Sequence, residues 1–451
     1  MHDVMPRAKR GPLSLLRTRR YGAMWVTQFL SAFNDNALKN ALVLMLAYRP
    51  EMARGLPAGM LIPLAGALFI LPFFFGSATA GQLADSHDKA KVIRIIKLTE
   101  IAVMAIAAAA VLSDNTWTLF ALLFVMGIEA AFFGPLKYAI LPDLLRFDEL
   151  LLGNALVEAG TFFAILIGTI AGMLIATSHG ALTVAALIVF VALGAWGASQ
   201  AIPSGAPSAP ETRIEWNFLA STWRLVADSR HEPTRFRSIL GISWFWLVGA
   251  TYLSQFPTYV SRYLGGAESV VTLFLTVFSV GVGAGSLLGS RILKGRISAH
   301  IAPWGALGIA LFSIDLWLAS PVHQIASNPA AEIALGEFLQ TPVHWRILVD
   351  LLGIAASGGV FALPLYALLQ TAGDERWRAR AIGANNVVNA AAMVLSALAV
   401  IALLAAGISV PGLFLLTGVS TLGVAGWFWR LRMALVPNAG AAPVLVPREA
   451  E

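Results

Sequence analysis

The sequence contains no cysteine and few charged residues. Of its 451 residues, 58% are hydrophobic and only 12% are charged, whereas soluble domains carry about 25% charged residues. Without cysteine, disulfide bonds and cysteine-bound metals are excluded within this chain. The short segments of alternating hydrophobicity that are typical of membrane β-barrels are also missing. This composition indicates an all-α membrane protein.

Long hydrophobic runs dominate the rest of the chain. Runs of roughly 20 apolar residues recur between Tyr21 and Trp429, and each can cross a hydrocarbon core of about 30 Å as a helix. We predict twelve such helices. Because eleven apolar runs follow the first one, we interpret it as a spanning helix and not as a cleaved signal peptide.

The basic residues predict the orientation. With the N-terminus placed in the cytoplasm, the cytoplasmic segments contain 25 of the 31 basic residues, Lys97 among them. Only Arg49, Arg54, Arg262 and Arg346 are assigned to the opposite side. This bias is typical of bacterial inner-membrane proteins with both termini in the cytoplasm. The net charge of +6 therefore reflects membrane topology, and we expect no nucleic-acid partner.

Changes in composition divide the chain into five regions. These are a basic cytoplasmic N-terminus (1–20), an N-terminal six-helix bundle (21–201), a cytoplasmic linker (202–236), a C-terminal six-helix bundle (237–430) and a disordered cytoplasmic tail (431–451).

The linker contains one helical pattern. It opens with a flexible stretch rich in proline and serine, residues 203–210. Trp216, Leu219, Trp223 and Val226 then recur at helical spacing. Two interpretations remain open, a helix lying at the membrane surface and a plain connector.

The two bundles resemble each other internally. The segment 153–159 in the fifth helix matches 384–390 in the eleventh, and 135–139 in the fourth matches 364–367 in the tenth. The offset of six helices predicts a duplication, and the substrate site of such folds lies near mid-membrane between the halves. We expect a major facilitator fold of two pseudo-symmetric six-helix bundles.

The loop after the second helix resembles the major facilitator signature, a small residue and an aspartate followed by basic residues. Gly81 permits close helix approach. Asp85 can meet a helix terminus or one of the loop cations, Lys89 and Lys91. We predict a conformational latch here, with a simple charged turn as the alternative. The corresponding segment of the second half, residues 281–296, has no aspartate.

Polar residues within the predicted spans are candidates for a substrate site, because charges are costly in a membrane interior. The first helix carries Asn34, Asp35, Asn36, Lys39 and Asn40 in the middle of an apolar run. Asp35 and Lys39 are four residues apart, so they share a helix face and either neutralise each other or line a hydrated cavity.

Further candidates lie in the fourth and fifth helices. Lys137 ends the fourth helix and either faces the site or extends to the membrane interface. Asn154 and Glu158 share a face of the fifth helix, where Glu158 is either a substrate ligand or a buried hydrogen-bonded carboxylate. No role is assigned to three other acidic residues in the spans, Glu100, Glu129 and Asp315.

The sequence carries no catalytic pattern. None of the seven histidines is followed by an aspartate five positions later, as in acyltransferases, and no phosphate-binding loop for an ATP-driven pump is present. We therefore expect neither enzymatic activity nor a cofactor.

Three stretches together resemble the lysophospholipid transporter branch of the major facilitator superfamily. These stretches are residues 29–36, 133–141 and 154–159. The segments 243–246 and 270–274 are similar to the transporter portion of proteins that are fused to acyltransferase and acyl-carrier-protein synthetase domains. The fused domains are absent from this chain.

The resemblance implies that lysophospholipids, such as lysophosphatidylethanolamine, are flipped from the outer to the inner leaflet of the bacterial inner membrane. An acyltransferase–synthetase partner then restores the second acyl chain. Asp35, Lys137 and Glu158 form the polar track for the head group. Family members also carry a basic residue early in helix seven, where residues 249–257 have none, so Lys39 or Arg262 substitutes.

Two other functions are alternatives to lysophospholipid transport. A proton-coupled multidrug exporter would use Asp35 or Glu158 as its proton carrier. A membrane scaffold would recruit an acyltransferase without transporting anything itself.

Overall fold

The computed structural model describes residues 11–48, 58–178, 180–321 and 332–431. Residues 1–10 of the predicted basic N-terminus, the opposite-side residues Arg49 and Arg54, and nearly all of the predicted tail lie outside these residues. The described chain is helical, without a β-strand, and one isolated β-bridge joins Gly266 and Ile333.

Twelve long helices, labelled α1–α12, build the molecule. They are α1 Arg19–Tyr48, α2 Ala58–Ser86, α3 Lys89–Leu112, α4 Thr116–Ala139, α5 Leu150–Ser178, α6 Gly180–Gln200, α7 Pro233–Tyr263, α8 Glu268–Leu293, α9 Ala302–Ala319, α10 Pro342–Thr371, α11 Arg378–Ala405 and α12 Val410–Leu431. A shorter helix between α6 and α7, Phe218–Asp228, is called the linker helix. Because the long helices alternate in direction, both described ends of the chain lie on one side, called the terminal side.

Side-chain caps determine where several long helices begin. Asp88, Asn115 and Glu232 each accept a backbone N–H from the first turn of α3, α4 and α7, at 3.0, 3.2 and 2.8 Å. These bonds satisfy donors that have no partner inside the helix. Within the described residues, all long helices except α1 are apolar and long enough to span a membrane.

The first helix is less apolar because of its central polar residues, and neighbouring helices satisfy several of them. Tyr21 donates to the carbonyl oxygen of Gly153 at 2.7 Å, and Asn40 donates to the hydroxyl of Thr169 at 3.0 Å, both in α5. Asn34 donates to a carbonyl oxygen of α6 at 3.0 Å. Polar groups in an apolar environment are stabilised by such bonds, so α1 is held between α5 and α6.

The predicted duplication is confirmed by the helix packing. In the first half, α1 packs against α5, α2 against α4, and α3 against α6. In the second half, α7 packs against α11, α8 against α10, and α9 against α12. Each pairing recurs with an offset of six helices, so the chain forms two pseudo-symmetric six-helix bundles.

The halves approach each other closely where α2 crosses α11. A Cβ atom on Gly81 would lie 2.8 Å from the Cα atom of Arg380, and one on Gly383 would lie 2.5 Å from the carbonyl oxygen of Ser77. Both distances are shorter than real Cβ contacts. Glycine is therefore required at both positions for this close helix packing.

Asp85 joins the halves at the same crossing. Its buried carboxylate accepts the backbone N–H groups of Ala379 and Arg380 at 3.0 and 3.2 Å, and Nε of Arg380 at 3.0 Å. The two N–H groups belong to the first turn of α11, where a helix favours negative charge. Of the partners predicted for Asp85, the helix terminus is present as the first turn of α11. The cation is Arg380 of the other half, and not Lys89 or Lys91 of the loop.

The two predicted latch lysines have different environments. Lys89 is buried, and its Nζ lies 3.0 Å from Oδ2 of Asp143. The other oxygen of Asp143, Oδ1, lies 3.1 Å from Nη1 of Arg378 in the second half. Lys91 is exposed. Only Lys89 therefore belongs to the charge network that closes the terminal side.

We predict that Asp85→Asn shifts the protein toward a form that is open on the terminal side. Losing hydrogen bonds to a charged group costs about 1.5–3 kcal/mol, which changes the ratio of two forms by about tenfold or more. Because the chain has no cysteine, spin labels at His87→Cys and Arg376→Cys report the distance between the halves. The distance distribution should move to longer values.

Lys91→Gln, which changes an exposed residue of the same loop, serves as the matched control and should leave the distribution unchanged. Substrate binding should remain largely intact in Asp85→Asn. Unchanged distances in Asp85→Asn, or a loss of binding without any change in distance, would contradict the latch.

Candidate functional site

A cavity of about 320 Å³ lies between the two halves. Helices α1 to α5 line one side, and Trp246 of α7, Tyr366 of α10 and residues 386–393 of α11 line the other. One part of the wall is polar. Another part, formed mainly by α2, is apolar and includes Phe69 and Phe73.

Aromatic side chains form part of the cavity wall where α4 meets α10. The rings of Tyr138 and Tyr366 are stacked, with centroids 4.6 Å apart and an interplanar angle of 11°. Nε1 of Trp246 donates to the hydroxyl of Tyr366 at 2.9 Å. Both tyrosines are buried, so the pair joins the halves through a large apolar contact.

The polar wall carries three acidic and three basic side chains. They are Asp35, Glu100, Glu129, Lys39, Lys97 and Lys137. Their formal charges sum to zero. Ionisable residues within a membrane span are costly and mark substrate or ion pathways. A wall with equal numbers of positive and negative charges suits a ligand that itself carries both a positive and a negative charge.

Lys97 lies at the centre of a hydrogen-bonded cluster. Its ammonium group lies 2.5 Å from Oε2 of Glu100 and 2.7 Å from the hydroxyl of Ser31, and it lies 4.2 Å from the ring centroid of Phe133. Lys97 is 3% exposed and Glu100 is 2% exposed. This cluster ties α1, α3 and α4 together, and it partly neutralises the lysine in place.

Two acidic residues of the wall keep a carboxylate oxygen without a partner. Oε1 of Glu100 and Oε1 of Glu129 are buried and form no hydrogen bond in the described part of the chain. An unsatisfied buried carboxylate oxygen costs free energy. Both residues line the cavity, so they are candidates to accept a hydrogen bond from a ligand cation.

The structure brings four of the predicted substrate residues into the cavity, Asp35, Asn36, Lys39 and Lys137. Nζ of Lys39 donates to Oδ1 of Asn36 at 3.1 Å. Lys137 lies inside the cavity wall, with its ammonium 5.1 Å from the ring centroid of Tyr138. The alternative in which Lys137 extends to the membrane interface is not the arrangement observed.

The other two predicted substrate residues are not among those that line the cavity. Asn154 and Gln370 of α10 exchange hydrogen bonds, with Nδ2 of Asn154 donating at 2.6 Å and Nε2 of Gln370 donating at 3.0 Å. Oε2 of the buried Glu158 accepts the hydroxyl of Ser286 in α8 at 2.6 Å. Both residues thus bridge the halves beside the cavity.

Sequence reasoning misses three charged residues of the site. Its charge count places Lys97 among the cytoplasmic basic residues, but the side chain reaches into the cavity. It assigns no role to Glu100 and Glu129. Helical spacing could have indicated part of this cluster. Glu129 lies about two turns before Lys137 on the same face of α4, and Lys97 and Glu100 are three residues apart.

The described residues contain no group of three or more histidine, aspartate or glutamate side chains placed to hold a metal ion. The polar wall offers instead ammonium and carboxylate groups from different helices. These groups can bind a charged ligand through charge-assisted hydrogen bonds.

Known proteins share this architecture. The human organic anion transporter MFSD10 (TETRAN) aligns with a TM-score of 0.66 and 14% identity, over 93% of this chain and 99% of that protein. The Escherichia coli fucose:proton symporter FucP aligns with a TM-score of 0.62 and 13% identity, over 91% and 98% of the two chains. At these identities the similarity concerns the fold.

Sequence comparison adds closer relatives. The chain is 30% identical over 392 residues to lysophospholipid transporter LplT of Cronobacter sakazakii, covering 84% of this chain and 86% of that protein. It is 29% identical over 430 residues to the transporter of the same name from Salmonella schwarzengrund, covering 91% and 94%. The family model described as Major Facilitator Superfamily matches residues 24–397. This multi-pass membrane protein, a transporter and not an enzyme, therefore belongs to the major facilitator superfamily.

Proposed function

We propose that the protein flips lysophospholipids from the outer to the inner leaflet of the bacterial inner membrane. The observation that carries this proposal is the cavity between the halves, which combines a charge-balanced polar wall with an apolar wall. A lysophospholipid has the same division, because a zwitterionic head group is joined to a single acyl chain.

The head group would bind to the polar wall. Because Glu100 and Ser31 hold Lys97, the cations that remain for a phosphate are Lys39 and Lys137. Asp35 and Glu129 would receive the ammonium group by charge-assisted hydrogen bonds. One basic and one acidic contact are enough to neutralise a zwitterion, so the ligand adds no net charge to the cavity.

The acyl chain would lie along the apolar wall. Phe69, Ile70 and Phe73 of α2 contribute to it, and Met393 of α11 lies on the opposing half. An acyl chain that remains in hydrocarbon or against such side chains loses little free energy. Only the head group then needs a polar path, which is the requirement for flipping a lipid.

The closed terminal side supports the proposed direction. Asp85 and Lys89 lie in contacts that close this side, and we propose that the cavity in this form opens toward the opposite side. If both termini are cytoplasmic, as the basic residues indicate, the cavity faces the outer leaflet.

The relatives support the substrate class, because proteins about 30% identical over most of the chain are named lysophospholipid transporters. We expect the flipped lipid to be re-acylated by an acyltransferase–synthetase acting on the inner leaflet. This functional coupling requires no direct contact, since the lipid itself can diffuse between the two proteins.

One observation favours a second candidate, a proton-coupled exporter. Glu158 is buried between the halves, and its Oε1 has no hydrogen-bond partner in the described chain. A carboxylate that links two moving bundles through Ser286 is suited to couple proton binding to their movement.

We predict that Asp35→Asn, Lys137→Met, Glu129→Gln and Glu158→Gln each reduce lysophospholipid uptake by about tenfold or more. Hydrogen bonds to charged groups are worth about 1.5–3 kcal/mol, and each 1.4 kcal/mol is about a factor of ten. Labelled lysophosphatidylethanolamine taken up by spheroplasts gives the rate, normalised to the amount of protein in the membrane.

Glu211→Gln, a change at an exposed linker residue, is the control and should transport normally. A proton-coupled exporter predicts a different pattern, in which the carboxylate variants lose coupling while Lys137→Met stays active. Normal lysophospholipid uptake in all four variants would exclude the proposed site.

We also predict that reporter fusions at either terminus give a cytoplasmic signal. A matched fusion after Gly265, in the loop between α7 and α8, should give a signal on the opposite side, because one spanning helix separates it from the linker. An external signal from either terminus would contradict the proposed orientation.

A further inference from the structure

The linker helix lies against the crossing of α2 and α11. Oγ1 of Thr222 donates to the carbonyl oxygen of Phe74 in α2 at 2.8 Å. Nε2 of Gln82 donates to the hydroxyl of Ser221 at 3.0 Å. On the other side of the crossing, Leu225 is buried next to Gly383 of α11. The helix therefore touches both halves at the point where they meet.

The level of these contacts places the linker helix beside the spanning helices and not beyond their ends. Gly383 lies five residues after the start of α11, which is about 8 Å along the helix axis at 1.5 Å per residue. Phe74 lies twelve residues before Ser86, the end of α2, which corresponds to about 18 Å. Both helices are long and apolar enough to span a membrane.

The outer face of the linker region is apolar and exposed. Trp216 and Leu219 are 70% exposed, and Trp223 is 77% exposed. Leu219 and Trp223 are one turn apart on the linker helix, and Trp216 lies just before it. Large apolar side chains exposed together in this way indicate an interaction surface. The face that contacts α2 and α11 is instead formed by small or buried side chains such as Ser221 and Leu225.

Two observations favour a lipid surface as the partner. The linker helix contacts α2 at Phe74, and on α2 the nearby apolar side chains Leu71 and Phe75 are also exposed. Basic residues flank the face, with Arg213 before the helix and Arg230 after it. Tryptophan beside basic residues is typical of helices that lie in the interface of an anionic leaflet.

We propose that the linker helix is embedded in the leaflet on the terminal side, with Trp216, Leu219 and Trp223 among the acyl chains. There it covers the crossing of α2 and α11, so lipids of this leaflet contact the helix and not the seam between the halves. With the orientation proposed above, this is the inner leaflet. The membrane contact itself is independent of what the protein transports.

The test measures the depth of the linker helix in a membrane. Trp223→Cys is labelled with an environment-sensitive nitrobenzoxadiazole fluorophore and reconstituted into vesicles of phosphatidylethanolamine and phosphatidylglycerol. Since the chain has no cysteine, the label occupies one position. We expect blue-shifted emission, strong quenching by phospholipids that carry a nitroxide on the acyl chain, and protection from aqueous iodide.

Glu211→Cys carries the same label on an exposed linker residue and is the control, with iodide quenching expected. A label at position 223 that is quenched by iodide and not by nitroxide lipids would overturn the proposal and leave this face to a protein partner. Nitroxide quenching that appears only when the protein is diluted to one copy per vesicle would assign the face to a second copy instead.

A second variant tests which side chains hold the helix in the leaflet. Trp216→Glu with Leu219→Glu, combined with the label at position 223, should lower nitroxide quenching severalfold, because charged side chains leave the acyl region. Both positions are largely exposed, so folding should be retained, as monodisperse elution will verify. Unchanged quenching in the folded variant would contradict the proposed contact.

Discussion

The low dielectric of the membrane is the constraint on which the arrangement of the charged side chains depends. An ionised group inside a span must have a partner or water, and the described charges follow this rule in two different ways. On the terminal side, Asp85 has three donors from α11. In the cavity, Glu100 and Glu129 each keep an oxygen without a partner in the described chain. The fully satisfied Asp85 holds the halves together, while Glu100 and Glu129 line the cavity, where a ligand can supply a further partner.

The charged residues of the cavity belong to the first half. The three acidic and three basic residues of the polar wall come from α1, α3 and α4. The second half contributes uncharged groups to the cavity, including Asn386, Asn389 and Tyr366. The halves are therefore related in packing but not in chemistry.

The sequence was sufficient to predict the architecture and part of the site. Helix positions followed from hydrophobic runs, because spanning a hydrocarbon core requires them. Asp35 and Lys137 could be predicted as cavity residues because a charged side chain in an apolar run is too costly to face lipid. Asn154 and Glu158 could be found as polar positions, but not assigned to the contact with α8 and α10, since a single sequence does not show which neighbour a helix face meets.

Lys97 shows a different limit. Its position in the sequence predicts a cytoplasmic residue, because it follows Lys89, Lys91 and Arg94 in a basic stretch near a helix end. Its long side chain nevertheless extends to Ser31 and Glu100. Charge distribution along a sequence describes where a backbone enters the membrane, and not where the charged end of a side chain is located.

The amide pair of Asn154 and Gln370 has a consequence for the environments in which the closed form can persist. The ion pairs Lys89–Asp143 and Asp143–Arg378 depend on charge, and salt can screen them through the partly exposed Asp143. Neither amide carries a charge or takes up a proton, so the bonds at 2.6 and 3.0 Å have the same strength in dilute and in concentrated media. This closure therefore has an uncharged part whose strength does not depend on the ionic conditions on that side.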